Sequence, residues 1–156
     1  MIELTVSGEV QQEELGRRLA MNCLPPCIVY LVGDLGAGKT TLARGFIRGV
    51  GYQGRVKSPT YTLLEPYELG QVSCYHFDLY RLSDVEELEY LGIQDLLTEN
   101  AYMLIEWPER GEGGLPSPDL VLEIGHNEAD RRIKIRGVSE KGKKIIQEIQ
   151  SDLVNG

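Results

Sequence analysis

The run Gly33-Asp34-Leu35-Gly36-Ala37-Gly38-Lys39-Thr40 has the spacing G-x-x-x-x-G-K-[ST], in which each fixed position does a separate job on a polyphosphate. The glycines let consecutive backbone N–H groups turn inward around an anion, and a helix opening near Lys39 adds its positive end. Lysine brings a mobile charge to the β- and γ-phosphates, while the Thr40 hydroxyl is placed to ligate Mg²⁺. The expected nucleotide-contacting segment is Asp34, Leu35, Gly36, Ala37, Gly38, Lys39, Thr40 and Thr41. Thr41 has the residue type without the position, so it either packs in the helix or bonds the α-phosphate.

A magnesium nucleotide site also calls for a carboxylate at the end of a strand beside the loop. Asp78, after the apolar run Val72–Phe77, and Glu106, after Tyr102–Ile105, both answer that description. Asp78 is expected to reach the metal, directly or through water, in preference to merely initiating a turn. For Glu106 the spacing leaves several readings open: it orients the attacking water, acts as a base, ligates the metal, or is a solvated rim carboxylate. Thr60, in Lys57-Ser58-Pro59-Thr60-Tyr61-Thr62, stands where a switch hydroxyl senses γ-phosphate, although Thr-Tyr-Thr is equally good strand sequence. Trp107, the only tryptophan, follows Glu106 and is expected either to face the cleft or to cap the core beneath it.

The elements that must hold these residues follow from periodicity. Cys27–Val32 is apolar on both faces, as a central strand covered by helices on both sides should be, and Leu42, Phe46, Ile47 and Val50 mark the helix after the loop. Before them, Leu15, Leu19 and Cys23 share one face of a helix following a Ser7 cap, and Pro25-Pro26 prevents its continuation. Thr60–Tyr67 and Val72–Phe77 are expected to pair as an antiparallel hairpin. Ser83 and Glu86 have capping-box spacing for a helix through Leu91 that Gly92 ends, with a further short turn of helix over Ile93–Leu97. A strand begins near Tyr102, and a Gly- and Pro-rich loop follows Pro108. Leu120–Ile124 and Arg132–Arg136 add two strands, and Ile145, Ile146, Ile149 and Leu153 line a closing amphipathic helix. The expected architecture is α/β, one domain over residues 1–156, with a mixed parallel and antiparallel sheet flanked by helices.

Composition narrows the class. With 156 residues, 42% hydrophobic and 26% charged, the chain is ordinary globular material, and no period of 20 to 50 residues repeats in it. No run approaches the roughly 20 apolar residues that cross a bilayer, and the N-terminus lacks a secretory pattern, so a cytoplasmic protein with no membrane contact is expected. A net charge of −8 argues against broad attraction to nucleic acid or anionic lipid. Charge is segregated, with five basic and no acidic residues from Lys39 to Lys57, and nine acidic residues against Arg110 alone from Asp84 to Glu112. Solvated helix faces explain most of these, a polar docking surface being the alternative. Cys23, Cys27 and Cys74 form no metal or disulfide pattern and are expected as buried thiols. His76 lies within an apolar run, where a hydrogen-bonded structural role is expected, and neither histidine is assigned chemistry.

Four segments in register, Gly33–Thr41, Ser58–Leu63, His76–Leu82 and Glu106-Trp107-Pro108, resemble the bacterial TsaE family, formerly YjeE, over about Gly8 to Gly125. The resemblance implies a P-loop NTPase fold and a small Mg²⁺-dependent ATPase, weak alone and activated by partners. It further implies a need for this protein in making threonylcarbamoyladenosine beside the tRNA anticodon, with TsaB and TsaD and downstream of TsaC. In that family ATP hydrolysis resets the TsaB–TsaD complex between turnovers, the carbamoyl group is transferred by others, and tRNA is engaged only indirectly. Carried over by position, Lys39 and Thr40 serve the phosphates and Mg²⁺, Thr60 the switch segment, Asp78 the Walker B role, and Glu106 the catalytic or metal-linked acid. The expected catalytic set is thus Lys39, Asp78 and Glu106, and the expected metal set Thr40, Asp78 and Glu106.

The absence of N-K-x-D after the strand-end acids removes the usual guanine contact, so ATP is preferred to GTP. A small-molecule kinase would need an acceptor pocket and an arginine-bearing lid. A nucleotide-gated binding module, holding ATP without significant turnover, is the non-enzymatic alternative.

Overall fold

Cys27–Gly33, apolar on both faces, becomes β2, the middle strand of a seven-stranded sheet in the computed structural model, which describes the backbone of residues 1–155 and side chains through residue 152. The other strands are β1 (Ile2–Val6), β3 (Leu64–Glu68), β4 (Ser73–Asp78), β5 (Ala101–Glu106), β6 (Leu120–Asn127) and β7 (Asp130–Gly137), and the order is β1-β7-β6-β2-β5-β4-β3. β6, β2, β5 and β4 run parallel, while β1, β7 and β3 join antiparallel. This is the mixed α/β sheet expected from the sequence.

Helices α1 (Gly8–Met21), α2 (Lys39–Gly49) and α5 (Glu140–Asn155) are long, whereas α3 (Glu87–Tyr90) and α4 (Ile93–Leu96) are single turns. Leu19, Leu42, Phe46 and Ile47 join Val29, Leu31, Leu104, Leu122 and the α5 residues Ile145, Ile146 and Ile149 in one core on one face of the sheet. Leu88 and Ile93 cover Phe77, Met103 and Ile105 in a second core on the other. The side chain of Leu153, expected on the buried face of α5, lies outside the described residues. All three cysteines are free and buried. α1 and α2 approach so closely that a Cβ on Gly45 would stand 1.9 Å from the Glu13 carbonyl oxygen. One residue earlier on α1, Gln12 reaches the glycine-rich loop that precedes α2.

Three local expectations are corrected. The strand expected over Thr60–Tyr67 begins only at Leu64, because β4 ends at Asp78 and offers no ladder beyond it. Residues 60–63 instead form a turn closed by the Leu63 N–H on the Pro59 carbonyl at 2.9 Å, with Leu63 at φ 67°. The helix expected from Ser83 and Glu86 starts later and is one turn long, since Glu87 Oε1 takes the Ser83 N–H (2.9 Å) and hydroxyl (2.8 Å), the capping role expected of Glu86. Ser7 stands at the N-cap of α1 but its hydroxyl makes no capping bond; its N–H donates instead to Gln11 Oε1 at 2.7 Å. β1, which pairs with β7, was not anticipated.

Candidate functional site

β2 runs out at Gly33 and the chain turns through residues 34–38 into α2, whose N-cap Gly38 sits at φ 96°. Only glycine suits that position, since the left-handed backbone strains other residues and a Cβ would stand 2.2 Å from Gln12 Nε2. Gln12, buried on α1, donates to the carbonyls of Ala37 (2.9 Å) and Gly38 (3.1 Å). From β7, Arg131 donates Nε to Ala37 O and Nη2 to Gly36 O, each at 3.3 Å. Side chains from two other elements therefore occupy the loop's carbonyls, while the opening N–H groups of α2 have no carbonyl ahead of them in the helix. The loop is built to face an anion with its amides.

Lys39 opens α2 and is 5% exposed. Its ammonium donates to the carbonyls of Gly33 and, at 3.0 Å, Asp34, and lies 4.2 Å from the Trp107 ring centroid. Burial lowers its pKa, and the nearby carboxylates of Glu106, Asp78, Glu109 and Asp34 oppose that shift. Trp107 itself holds φ 57°, an outlier for a bulky residue, just before the 3-10 helix Pro108–Gly111. The Tyr80 ring lies against it, tilted by 51° with centroids 5.0 Å apart.

Sheet register brings the two acids together. Leu31 in β2 pairs with Glu106 in β5, and Glu106 pairs in turn with Asp78 in β4. Both carboxylates therefore stand at the carboxyl ends of parallel strands beside the loop, where open α/β sheets bind ligands. Glu106 is 2% exposed, which removes the rim-carboxylate reading, and its Oε2 and Oε1 accept from the Thr40 hydroxyl at 3.1 and 3.3 Å. Its Oε2 also lies 2.6 Å from His76 Nε2. Asp78 is 6% exposed and accepts the Tyr80 N–H at 3.0 Å. Burial pushes the Asp78 carboxyl above the ordinary aspartate range and Glu106 adds to this, while the Tyr80 N–H, His76 and Lys39 pull it down. In the two segregated charge runs, Lys39 and Glu106 are the only charged residues withdrawn into the buried class; the others are solvated or half-buried.

A cavity of about 460 Å³ opens on Leu35, Gly36, Ala37, Gly38, Lys39, Thr40, Thr41, Thr60, Asp78, Glu106 and Trp107. Of the expected contacts, Asp34 alone stays outside: its side chain is exposed and does not line the cavity. Thr60 reaches the cavity from the turn that replaces the expected strand, its hydroxyl 2.7 Å from that of Ser58. The sequence reading missed Gln12 and Arg131; His76 is the buried, hydrogen-bonded histidine expected, but its partner, Glu106, was not foreseen. His76 carried a signal, a titratable side chain in the middle of a core strand, whereas Arg131 carried none because only the β6–β7 hairpin brings it back to the loop.

The donors present fit Mg²⁺-nucleotide. Among the described residues no three His, Cys, Asp or Glu side chains cluster to cage a metal, and Mg²⁺ in nucleotide sites uses one or two protein oxygens with phosphate and water. Thr40, Glu106 and Asp78 supply oxygens of that kind. Because the Trp107 indole lines the cavity and touches Lys39, its emission should shift during an ATP titration and saturate with binding measured by calorimetry. Constant emission through a titration that fills the site would place the indole away from the nucleotide.

The family model described as threonylcarbamoyl adenosine biosynthesis protein TsaE matches residues 6–134. The tRNA threonylcarbamoyladenosine biosynthesis protein TsaE of Haemophilus influenzae is 52% identical over 119 residues, spanning 76% of this chain and 75% of that protein. The protein of the same name from Bacillus subtilis is 33% identical over 146 residues, 93% of this chain and 90% of its own. The crystal structure of Bacillus subtilis YdiB superposes with a TM-score of 0.82 at 26% identity, covering 97% of this chain and 95% of that one. A loop with the G-x-x-x-x-G-K-[ST] spacing set beside two buried strand-end acids, together with this match over most of the chain, makes the protein a member of the TsaE family.

Proposed function

We propose that this chain is a single-domain, Mg²⁺-dependent ATPase that serves the threonylcarbamoyladenosine modification of tRNA by supporting turnover of a TsaB–TsaD complex. The carrying observation is that Lys39, Thr40, Asp78 and Glu106 line one cavity at the carboxyl ends of β2, β5 and β4. Lys39 offers its charge to the β- and γ-phosphates, and the amides of residues 36–40 enclose them. Thr40 and the two acids hold the metal and the attacking water, Glu106 being the group nearest the Thr40 hydroxyl. Mg²⁺, when bound, neutralises charge that develops between the β- and γ-phosphates. Absence of a guanine-reading N-K-x-D favours ATP. The site of action is the cytoplasm; no helix among the described residues is long and apolar enough to cross a membrane.

Turnover by the isolated chain should be slow. The arginines nearest the cleft are engaged, Arg131 with loop carbonyls and Arg110 with the rings of Tyr80 and Trp107 at 5.2 and 5.9 Å. A transition-state arginine is worth about 10³- to 10⁵-fold in other nucleotide hydrolases, so TsaB–TsaD should raise the rate by supplying order or charge. Reconstituted tRNA modification, with and without this chain, tests the reading: the expected result is ATP consumed, modification sustained over many turnovers, and no added metabolite phosphorylated. Equal hydrolysis alone and with TsaB–TsaD would refute partner activation, and a phosphorylated metabolite would make the protein a kinase.

A further inference from the structure

His76 is fully buried in β4, between Tyr75 and Phe77 of the core, yet it carries two polar nitrogens. Among the described residues its Nδ1 has no hydrogen-bond partner, and the sole partner of its Nε2 is Glu106 Oε2 at 2.6 Å. Leaving a buried polar atom without a partner is costly, so packing alone would favour an apolar residue here. The cost falls at one place, against the acid that also holds the Thr40 hydroxyl.

We propose that His76 is a positioning residue for the ATPase site, its Nε2–H fixing Glu106 Oε2 so that the carboxylate keeps one orientation toward Thr40 and the cleft. This rests on the ATPase reading above. A carboxylate can only accept, so an ionised Glu106 requires a proton on His76 Nε2, and Nδ1 is the nitrogen that stays buried without a partner among the described residues. Glu106 Oε1 then has the Thr40 contact at 3.3 Å as its one protein hydrogen bond among the described residues, and it is the oxygen left free to meet water or metal. Without the imidazole, Glu106 would lose its shortest tether and share one hydroxyl between two oxygens. Outer partners of this kind are worth about 10- to 100-fold in activity at other sites.

The test compares His76→Leu with His76→Gln, whose Nε2 can donate from nearly the imidazole position. In the full chain with Mg²⁺, His76→Leu should lower kcat about 10- to 100-fold while KM and the calorimetric affinity for ATP change less than about threefold, and His76→Gln should recover most of the loss. Equal kcat in wild type and His76→Leu, or equal loss in both variants that melt like wild type, would overturn the proposal. A second readout needs no turnover. With only two histidines in the chain, long-range proton–nitrogen spectra should show His76 protonated at Nε2, and the signal should move in Glu106→Gln. Protonation at Nδ1 instead, or a signal indifferent to Glu106→Gln, would also overturn it. A wild-type chain that binds ATP without hydrolysing it would refute the ATPase reading itself, and the inference with it.

Discussion

Lys39→Ala should raise the dissociation constant for ATP about 100-fold. The substitution deletes a cation that the fold keeps buried beside the loop carbonyls and the Trp107 ring. One charge-assisted hydrogen bond is worth about 1.5–3 kcal/mol, and 1.4 kcal/mol is tenfold in affinity, so a lysine bridging two phosphates reaches that range. Stability should not fall in parallel. Burial lowers the Lys39 pKa, so the folded chain bears a cost for holding the ammonium at neutral pH, and removing the group relieves it. Isothermal titration with ATP and a thermal melt of the same sample separate the two effects. Wild-type affinity in a folded Lys39→Ala protein would show that the loop does not hold the phosphates.

Asp78→Asn should separate chemistry from binding in the opposite sense. The amide keeps an oxygen for the Tyr80 N–H, now met by Asp78 at 3.0 Å, but loses the charge that acts on the metal. Hydrolysis at saturating Mg²⁺ should drop about 100-fold, while ATP affinity measured without Mg²⁺ stays within about threefold because, among the described residues, the Asp78 side chain hydrogen-bonds the Tyr80 N–H and no loop group. Burial raises the Asp78 carboxyl pKa in the folded chain. A carboxyl of that kind favours folding while protonated, below its unfolded pKa near 3.9, and the benefit is lost as pH rises through the folded value. Asp78→Asn should therefore be at least as stable as wild type at neutral pH, and the margin should shrink as pH falls through the carboxylate range. Melting curves at several pH values, beside single-turnover hydrolysis, check both halves. Wild-type hydrolysis by the variant would remove Asp78 from the metal site, and a margin that widens on acidification would contradict its burial as the cause.

Much of the site was legible because it is written in short-range spacing. The loop from Gly33 to Thr40 declares itself by glycines and a lysine at fixed separations, and Asp78 and Glu106 by acids that end apolar runs. Each of those signals needs only a strand or helix of the right type around it, and local composition decides that type. The boundaries that failed are those where local preference competes with a partner. Thr60–Leu63 has good strand composition but turns: the Asp78 N–H still meets the Leu63 carbonyl at 3.0 Å, but β4 stops there and offers nothing to residues 60–62.

The sequence by itself determined a glycine-rich loop with phosphate-loop spacing between an apolar strand and a helix, two strand-end acids, three buried thiols and a mixed sheet. Tertiary structure alone decided that β5 lies beside β2 and β4 beside β5, which draws Glu106 against Thr40 and sets Asp78 next to it. It also decided that Gln12 and Arg131, 25 and 94 residues from Ala37, both bond its carbonyl, and that His76 ends on Glu106, 30 residues away. The physical reason is that spacing along one chain segment specifies which face a side chain takes, whereas the order and register of parallel strands come from pairing over long loops and from burial summed over the whole sheet.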